Sequence, residues 1–233
     1  MKKFELTSEK INWLGHTLFR IKACVDFTTI YGDEIKAGDL GGFVEKEENL
    51  SHNGRAWIFD NAQVSGNAKV YGNAKVYDNA KVHGNARVWD NAKIYGNATV
   101  FNCAEISGNA KIYGNATVFN CASIYGNAKV YDCASIYGYA EISENVKIFG
   151  NVSVYDRACI FGNAEISENA KIFGNAKVYG DATVFGNAHI YDNAHIYDNA
   201  TVFSDVSVFG IAKIFGNVRV YGDIEISGNA KIY

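Results

Sequence analysis

Five histidines, five cysteines and a series of evenly spaced lysines are the side chains with which this 233-residue chain could do chemistry. A neutral imidazole serves as general base or metal ligand near neutral pH, and a thiolate attacks or ligates once its pKa is lowered. Neither type is clustered. His16, His52, His83, His189 and His195 are scattered, and Cys24, Cys103, Cys121, Cys133 and Cys159 show no Cys-x-x-Cys spacing. An odd number of thiols without that spacing argues against both a disulfide framework and a zinc ribbon, and a reducing cytoplasm is the expected compartment. The lysines behave differently. Lys75, Lys93, Lys111, Lys129 and Lys147 recur every 18 residues, and the first four are followed two places on by Tyr77, Tyr95, Tyr113 and Tyr131.

These intervals come from a six-residue phrase, as in GNAKVYGNAKVYDNAKV at 66–82. Ala56 and every sixth residue to Ala230 is Ala, save Val146, Val152, Val206, Val218 and Ile224. Two places after each comes Val or Ile, from Ile58 to Ile232, with no insertion. Side chains alternate along a strand, so Ala and Val of Ala-Lys-Val-Tyr face one way and Lys the other. The Gly-Asn or Asp-Asn pair that follows suits a bend, because those residues tolerate left-handed backbone. Apolar spacings of two and six do not fit the 3.6 period of a helix. A fixed short period means a solenoid.

The stretch NATVFNCA occurs at 97–104 and again at 115–122, a shift of three hexads, whereas other near-copies lie 12 or 24 residues apart. Three hexads per turn is our choice. It predicts an all-β triangular prism of about ten coils, with strands about 4.8 Å apart. In that register the five lysines form one column. Five ammonium groups at this spacing repel one another mildly, which an acidic partner would relieve. The tyrosines beside them could anchor a protein contact or stack on bases. The bland alternative is that Lys is simply the default outward residue of a duplicated phrase. His83, His189 and His195 take outward positions, and His189 and His195, in adjacent hexads, belong to different faces. Cys103 and Cys121 replace corner residues one coil apart, Cys133 takes the same slot on another corner, and Cys159 faces outward. Small buried corner residues are the expected role of the first three.

The first 55 residues are of another kind. INWLGHTLF (11–19) predicts a hairpin around Gly15 and LFRIKACVDF (18–27) a strand. A division into a β cap at 1–55 and a repeat domain at 56–233 follows. The cap protects one end of the solenoid, and Ile224, Ile226, Ile232 and Tyr233 at the other are expected to pair with a second copy. A net charge of −3 predicts no general affinity for nucleic acid or anionic membranes. No apolar run is long enough for a bilayer and the N-terminus has no apolar h-region, so neither membrane span nor signal peptide is expected.

The aliphatic-x-Gly-Asn-Ala-x phrase resembles the hexapeptide repeat of single-stranded left-handed β-helices over residues 56–233. It departs from that pattern in placing an aromatic directly after the aliphatic residue and Gly one place later. Handedness is implied by this resemblance alone. The elements Lys36-Ala37-Gly38, Gly41-Gly42-Phe43-Val44 and Leu50-Ser51…Gly54…Trp57-Ile58 resemble the start of YdcK-like proteins, which are β-helical and commonly labelled acetyltransferases. An acyl-CoA-dependent transferase of this resemblance would use a histidine base between subunits, with His52, near Asn53 and Arg55, the better candidate.

No loop interrupts the hexads, however, and catalytic groups favour loops and shaped pockets. The reading favoured is therefore a non-enzymatic protein with no catalytic residues, no cofactor and no metal. It binds a macromolecular partner through its ladder-like faces, and is conceivably a phage or mobile-element protein that blocks a host defence factor. An acidic protein surface suits the lysine column better than nucleic acid does. A filament-forming element is the third reading, disfavoured because the cap closes one end.

Overall fold

The computed structural model describes residues 2–233, and over these the chain is all-β. Parallel β-solenoid coils, about 11 turns, follow antiparallel N-terminal strands, and a 3-10 turn at Glu47–Asn49 is the one helical element among the described residues. The chain divides into two compact units, 1–115 and 116–233.

In the first unit, β1 (Phe4–Trp13) and β2 (His16–Ala23) form the hairpin expected around Gly15. Its turn places Leu14 and Gly15 at φ 48° and 81°, as a tight right-twisted hairpin requires. A second hairpin joins β3 (Phe27–Thr28) and β4 (Glu34–Ile35). β5 (Leu40–Val44) pairs antiparallel with β2 and parallel with Gln63–Val64 of the first repeats. Leu50 likewise bridges to Val70. Non-repeat residues thus supply most of an extra turn, which explains about 11 turns where hexads alone give about ten.

β5 approaches this coil so closely that a Cβ on Gly42 would lie 2.5 Å from Ile58 Cγ2 and 2.6 Å from the Ala62 carbonyl. Only glycine fits there. Arg20 ties the junction by donating to the carbonyls of Gly41 and Asp60 while lying 4.2 Å from the Phe43 ring centre. Buried Asn49 donates to the carbonyls of Gly66 and Ala68 and accepts from the Lys46 N–H, replacing strand bonds the irregular chain cannot make. Lys3 closes the mouth of the core. Its Nζ donates to the Ala56 carbonyl at 2.8 Å, and burial lowers its pKa to about 8.

The repeats run as two-residue strands on three faces, shorter than the four-residue strands of the phrase. In the first unit, face 1 carries Gln63, Lys81 and Thr99 outward, face 2 Lys69, Arg87 and Glu105, and face 3 Trp57, Lys75, Lys93 and Lys111. In the second unit, face 1 runs Thr117, Ser135, Ser153, Lys171, His189, Ser207 and Glu225. Face 2 there runs Ser123, Glu141, Cys159, Lys177, His195, Lys213 and Lys231. Face 3 runs Lys129, Lys147, Glu165, Thr183, Thr201 and Arg219. Parallel in-register pairing of residues 18 apart is what the triangular reading requires.

The inward Ala and Val or Ile residues are fully buried from Ala56 to Ile214. Each buried branched side chain contributes about 1.5–3 kcal/mol of transfer free energy. At the corners the first residue of the Gly-Asn or Asp-Asn pair takes left-handed φ, as at Gly66 (65°) and Asp78 (58°). Glu144, Glu168 and Ser204 adopt the same conformation without glycine's freedom, at 60°, 62° and 67°.

Candidate interaction faces

The lysine column is covered where it meets the cap. Lys75 reaches both carboxylate oxygens of Asp33 at 2.9 and 3.0 Å, and its side chain is only 17% exposed. Asp33 sits in the loop between β3 and β4, where the Thr29 hydroxyl also donates to its Oδ2 at 2.7 Å. Burial alone would raise the Asp33 carboxyl, but the hydrogen bonds from Lys75 and Thr29 outweigh it and hold the pKa below the usual carboxylate range. Lys75 Nζ also lies 4.4 Å from the Phe59 ring centre, and Lys93 Nζ lies 3.4 Å from that of Tyr31. The Tyr31 hydroxyl donates to the Asn91 carbonyl. The β3–β4 hairpin is therefore a strap across this end of the column. Lys111 follows in register with Lys93.

In the second unit, Lys129 and Lys147 are in register, and Lys147 is answered by Glu165 at 3.3 Å. Arg87 on face 2 of the first unit is similarly paired with Glu105 at 3.5 Å. The tyrosines beside the lysines form ring stacks, Tyr77 on Tyr95 at 4.7 Å and Tyr95 on Tyr113 at 4.8 Å, and in the second unit Tyr131 on Phe149 at 5.0 Å. Burial pushes up the Tyr77, Tyr95 and Tyr131 hydroxyl pKa values.

The histidines do not converge. His16 lies 3.0 Å from Glu45. His52 stacks on Phe4 at 4.3 Å, its Nδ1 accepts the Lys3 N–H at 3.2 Å, and its Nε2 is 3.5 Å from Glu47. One ring nitrogen thus holds the N-terminal segment and the other faces the 3-10 turn, at the edge of a depression of about 610 Å³ that Lys69, Tyr71 and Arg87 also line. His83 is one rung of an aromatic stack, parallel to Phe101 at 4.9 Å, with Trp13 edge-on. Burial lowers its pKa, helped by His16 and Lys81. His189 and His195 fall on faces 1 and 2, and burial lowers both, with Lys171 acting on the first and Lys177 and Lys213 on the second. Among the described residues no group of three or more His, Cys, Asp or Glu side chains is placed to hold a metal ion.

The corner cysteines correct the sequence expectation twice. Cys24, Cys133 and Cys159 are free thiols, whereas Cys103 and Cys121 are disulfide-bonded, against the reading that spacing and odd number exclude a disulfide. Cys103 and Cys133 are also exposed and Cys121 half-buried, because the second residue of each corner pair points outward. Cys159 faces outward from face 2, and burial followed by Glu141 raises its pKa. In the last coil Ile224 is 42% and Tyr233 83% exposed, while Ile226 and Ile232 are half-buried.

Two structural roles escaped the reading of residue types. Corner asparagines do more than bend the chain: their side-chain amides bond to one another from coil to coil, as from Asn73 to Asn91 at 3.1 Å and Asn91 to Asn109 at 3.0 Å. The 18-residue recurrence of Asn was the available signal. The pairing of Asp33 with Lys75 carried no such signal, since 42 residues separate them.

Fold and faces together define a β-solenoid repeat protein that carries ordered columns of side chains. The family model for the YdcK beta solenoid repeat matches residues 62–78 and 176–192, and the solenoid is consistent with a YdcK-like protein. A search of curated proteins finds no match. No helix among the described residues is long and apolar enough to cross a membrane.

Proposed function

We propose that this chain is a non-enzymatic interaction scaffold that binds a macromolecular partner through side-chain columns on its faces. The observation that carries the reading is the register: outward residues repeat coil after coil at one spacing, beside stacked rings, on strands whose inward residues are fully buried. Such a stiff surface suits recognition, where preformed side chains lose little entropy on binding. His16, His52, His83 and His195, each engaged in a separate local contact, give no support to an acyl-transfer base. A host factor, blocked by occlusion, is the partner class we favour. Pairing with a second copy through Ile224, Ile226, Ile232 and Tyr233 belongs to the same reading.

The test is cross-linking and capture from a bacterial lysate, run beside coenzyme A calorimetry. A saturable protein partner and no coenzyme A heat are expected. Coenzyme A binding that is lost in His52→Ala would overturn the scaffold reading in favour of a transferase. A monomeric mass by light scattering would remove the pairing.

A further inference from the structure

Face 2 of the second unit carries a column of three lysines and a histidine. Lys177, His195, Lys213 and Lys231 occupy the same outward slot of successive coils and pair in register. Three other outward cations of the repeats are answered by carboxylates, Lys75 by Asp33, Arg87 by Glu105 and Lys147 by Glu165. None of the column's three lysines has a carboxylate within ion-pair distance among the described residues, and the charges that act on His195 are the cations Lys177 and Lys213. The nearby corner carboxylates Asp192 and Asp198 accept the N–H groups of Gly210 and Gly216 at 3.1 and 3.2 Å, so both serve the backbone.

His195, Lys213 and Lys231 of the column border a groove of about 630 Å³ whose far side is formed by Asn193, Ile211 and Asn229, and Lys177 lies one coil beyond it. Ile211 stands where the phrase usually has Asn and is 52% exposed. On the near side Tyr179, Tyr197, Phe215 and Tyr233 stack at 4.9, 5.0 and 5.4 Å. Within that stack the faces of Tyr179, Tyr197 and Phe215 are occupied by their neighbours, and only the outer face of the 83% exposed Tyr233 is open. A nucleobase needs a free ring face to stack upon, so the rest of the ladder offers edges and hydroxyl donors instead.

We propose that this groove docks an extended acidic segment of a partner protein. Three coil steps span about 14 Å, and so do residues i to i+4 of an extended peptide, which puts carboxylates at every second position opposite the column. Ile211 then receives an apolar side chain at the segment's edge. This deepens the scaffold reading and rests on it.

The experiment titrates the full chain at low salt with a short fluorescein-labelled peptide bearing Glu at every second position, read by anisotropy. A same-composition peptide with its Glu residues clustered and a single-stranded oligonucleotide of equal charge run alongside. Saturable binding to the alternating peptide is expected, weakened about tenfold or more by the Lys213→Glu/Lys231→Glu double variant and unchanged by Lys171→Glu on face 1. Tighter binding of the oligonucleotide overturns the partner class. Equal loss in the Lys171→Glu control, or no binding of any probe, overturns the site. If lysate capture still yields a partner in that last case, the scaffold reading survives the failure of this one. Circular dichroism checks that the exposed double variant folds.

Discussion

Lys75 and Lys213 occupy equivalent outward slots of the same phrase, yet their surroundings are opposite. Lys75 is held by Asp33 beneath the strap, close to the Phe59 and Tyr77 rings. Lys213 has a histidine on one side, a lysine on the other and an open groove beside it. A repeated residue therefore has no fixed role. Its availability depends on what non-repeat chain or broken phrase lies next to it, here the β3–β4 hairpin in one case and Ile211 in the other.

The largest expected effect separates covered coils from the exposed last one. Ile58→Ala, in the fully buried coil under β5, should cost about 3–4 kcal/mol in denaturant unfolding, whereas Ile232→Ala should cost less than about 1 kcal/mol. Equal losses would mean that the last coil is as well covered as the first.

Next is the buried amine that closes the cap. The folded Lys3 has a pKa near 8, below its unfolded value of about 10.4, so over that window the unfolded chain binds the extra proton and stability rises with pH. The gain is at most about 3 kcal/mol. Thermal melts between pH 8 and 10 should therefore rise more in the parent than in Lys3→Met, a difference that sets aside the tyrosines titrating in both. A parallel response would remove Lys3 as the cause.

Asp33→Asn should cost about 1 kcal/mol, since the pair is partly exposed, and should release the strap, seen as faster hydrogen exchange over residues 27–35. Because the Asp33 carboxyl is held low, its contribution is present above the ordinary carboxylate range and is lost as pH falls through its folded value. Unchanged exchange would show that Tyr31 alone holds the hairpin. Smallest is Lys213→Glu, expected to change stability by no more than about 0.5 kcal/mol. A larger loss would mean that the bare column is structural.

The β1–β2 turn at Gly15 was readable because a left-handed turn there needs its residue type. The strand itself was less so: β1 begins at Phe4, and FELTSEK alternates too weakly to announce it. Among the faces, the register of Lys75, Lys93 and Lys111 followed from spacing, but not that Asp33 and Tyr31 would cover two of them. The column of Lys177, His195, Lys213 and Lys231 has no signal along the chain, because its members differ in type and share only a slot.

The hexads by themselves determined the coil, the inward and outward sets and the pairing of residues 18 apart, because alternation and bend tolerance are local properties of a short chain segment. Tertiary structure alone decided which outward residues remain accessible. That depends on contacts between residues tens of positions apart, such as Asp33 with Lys75 and Lys3 with Ala56, and no period along the chain encodes such contacts.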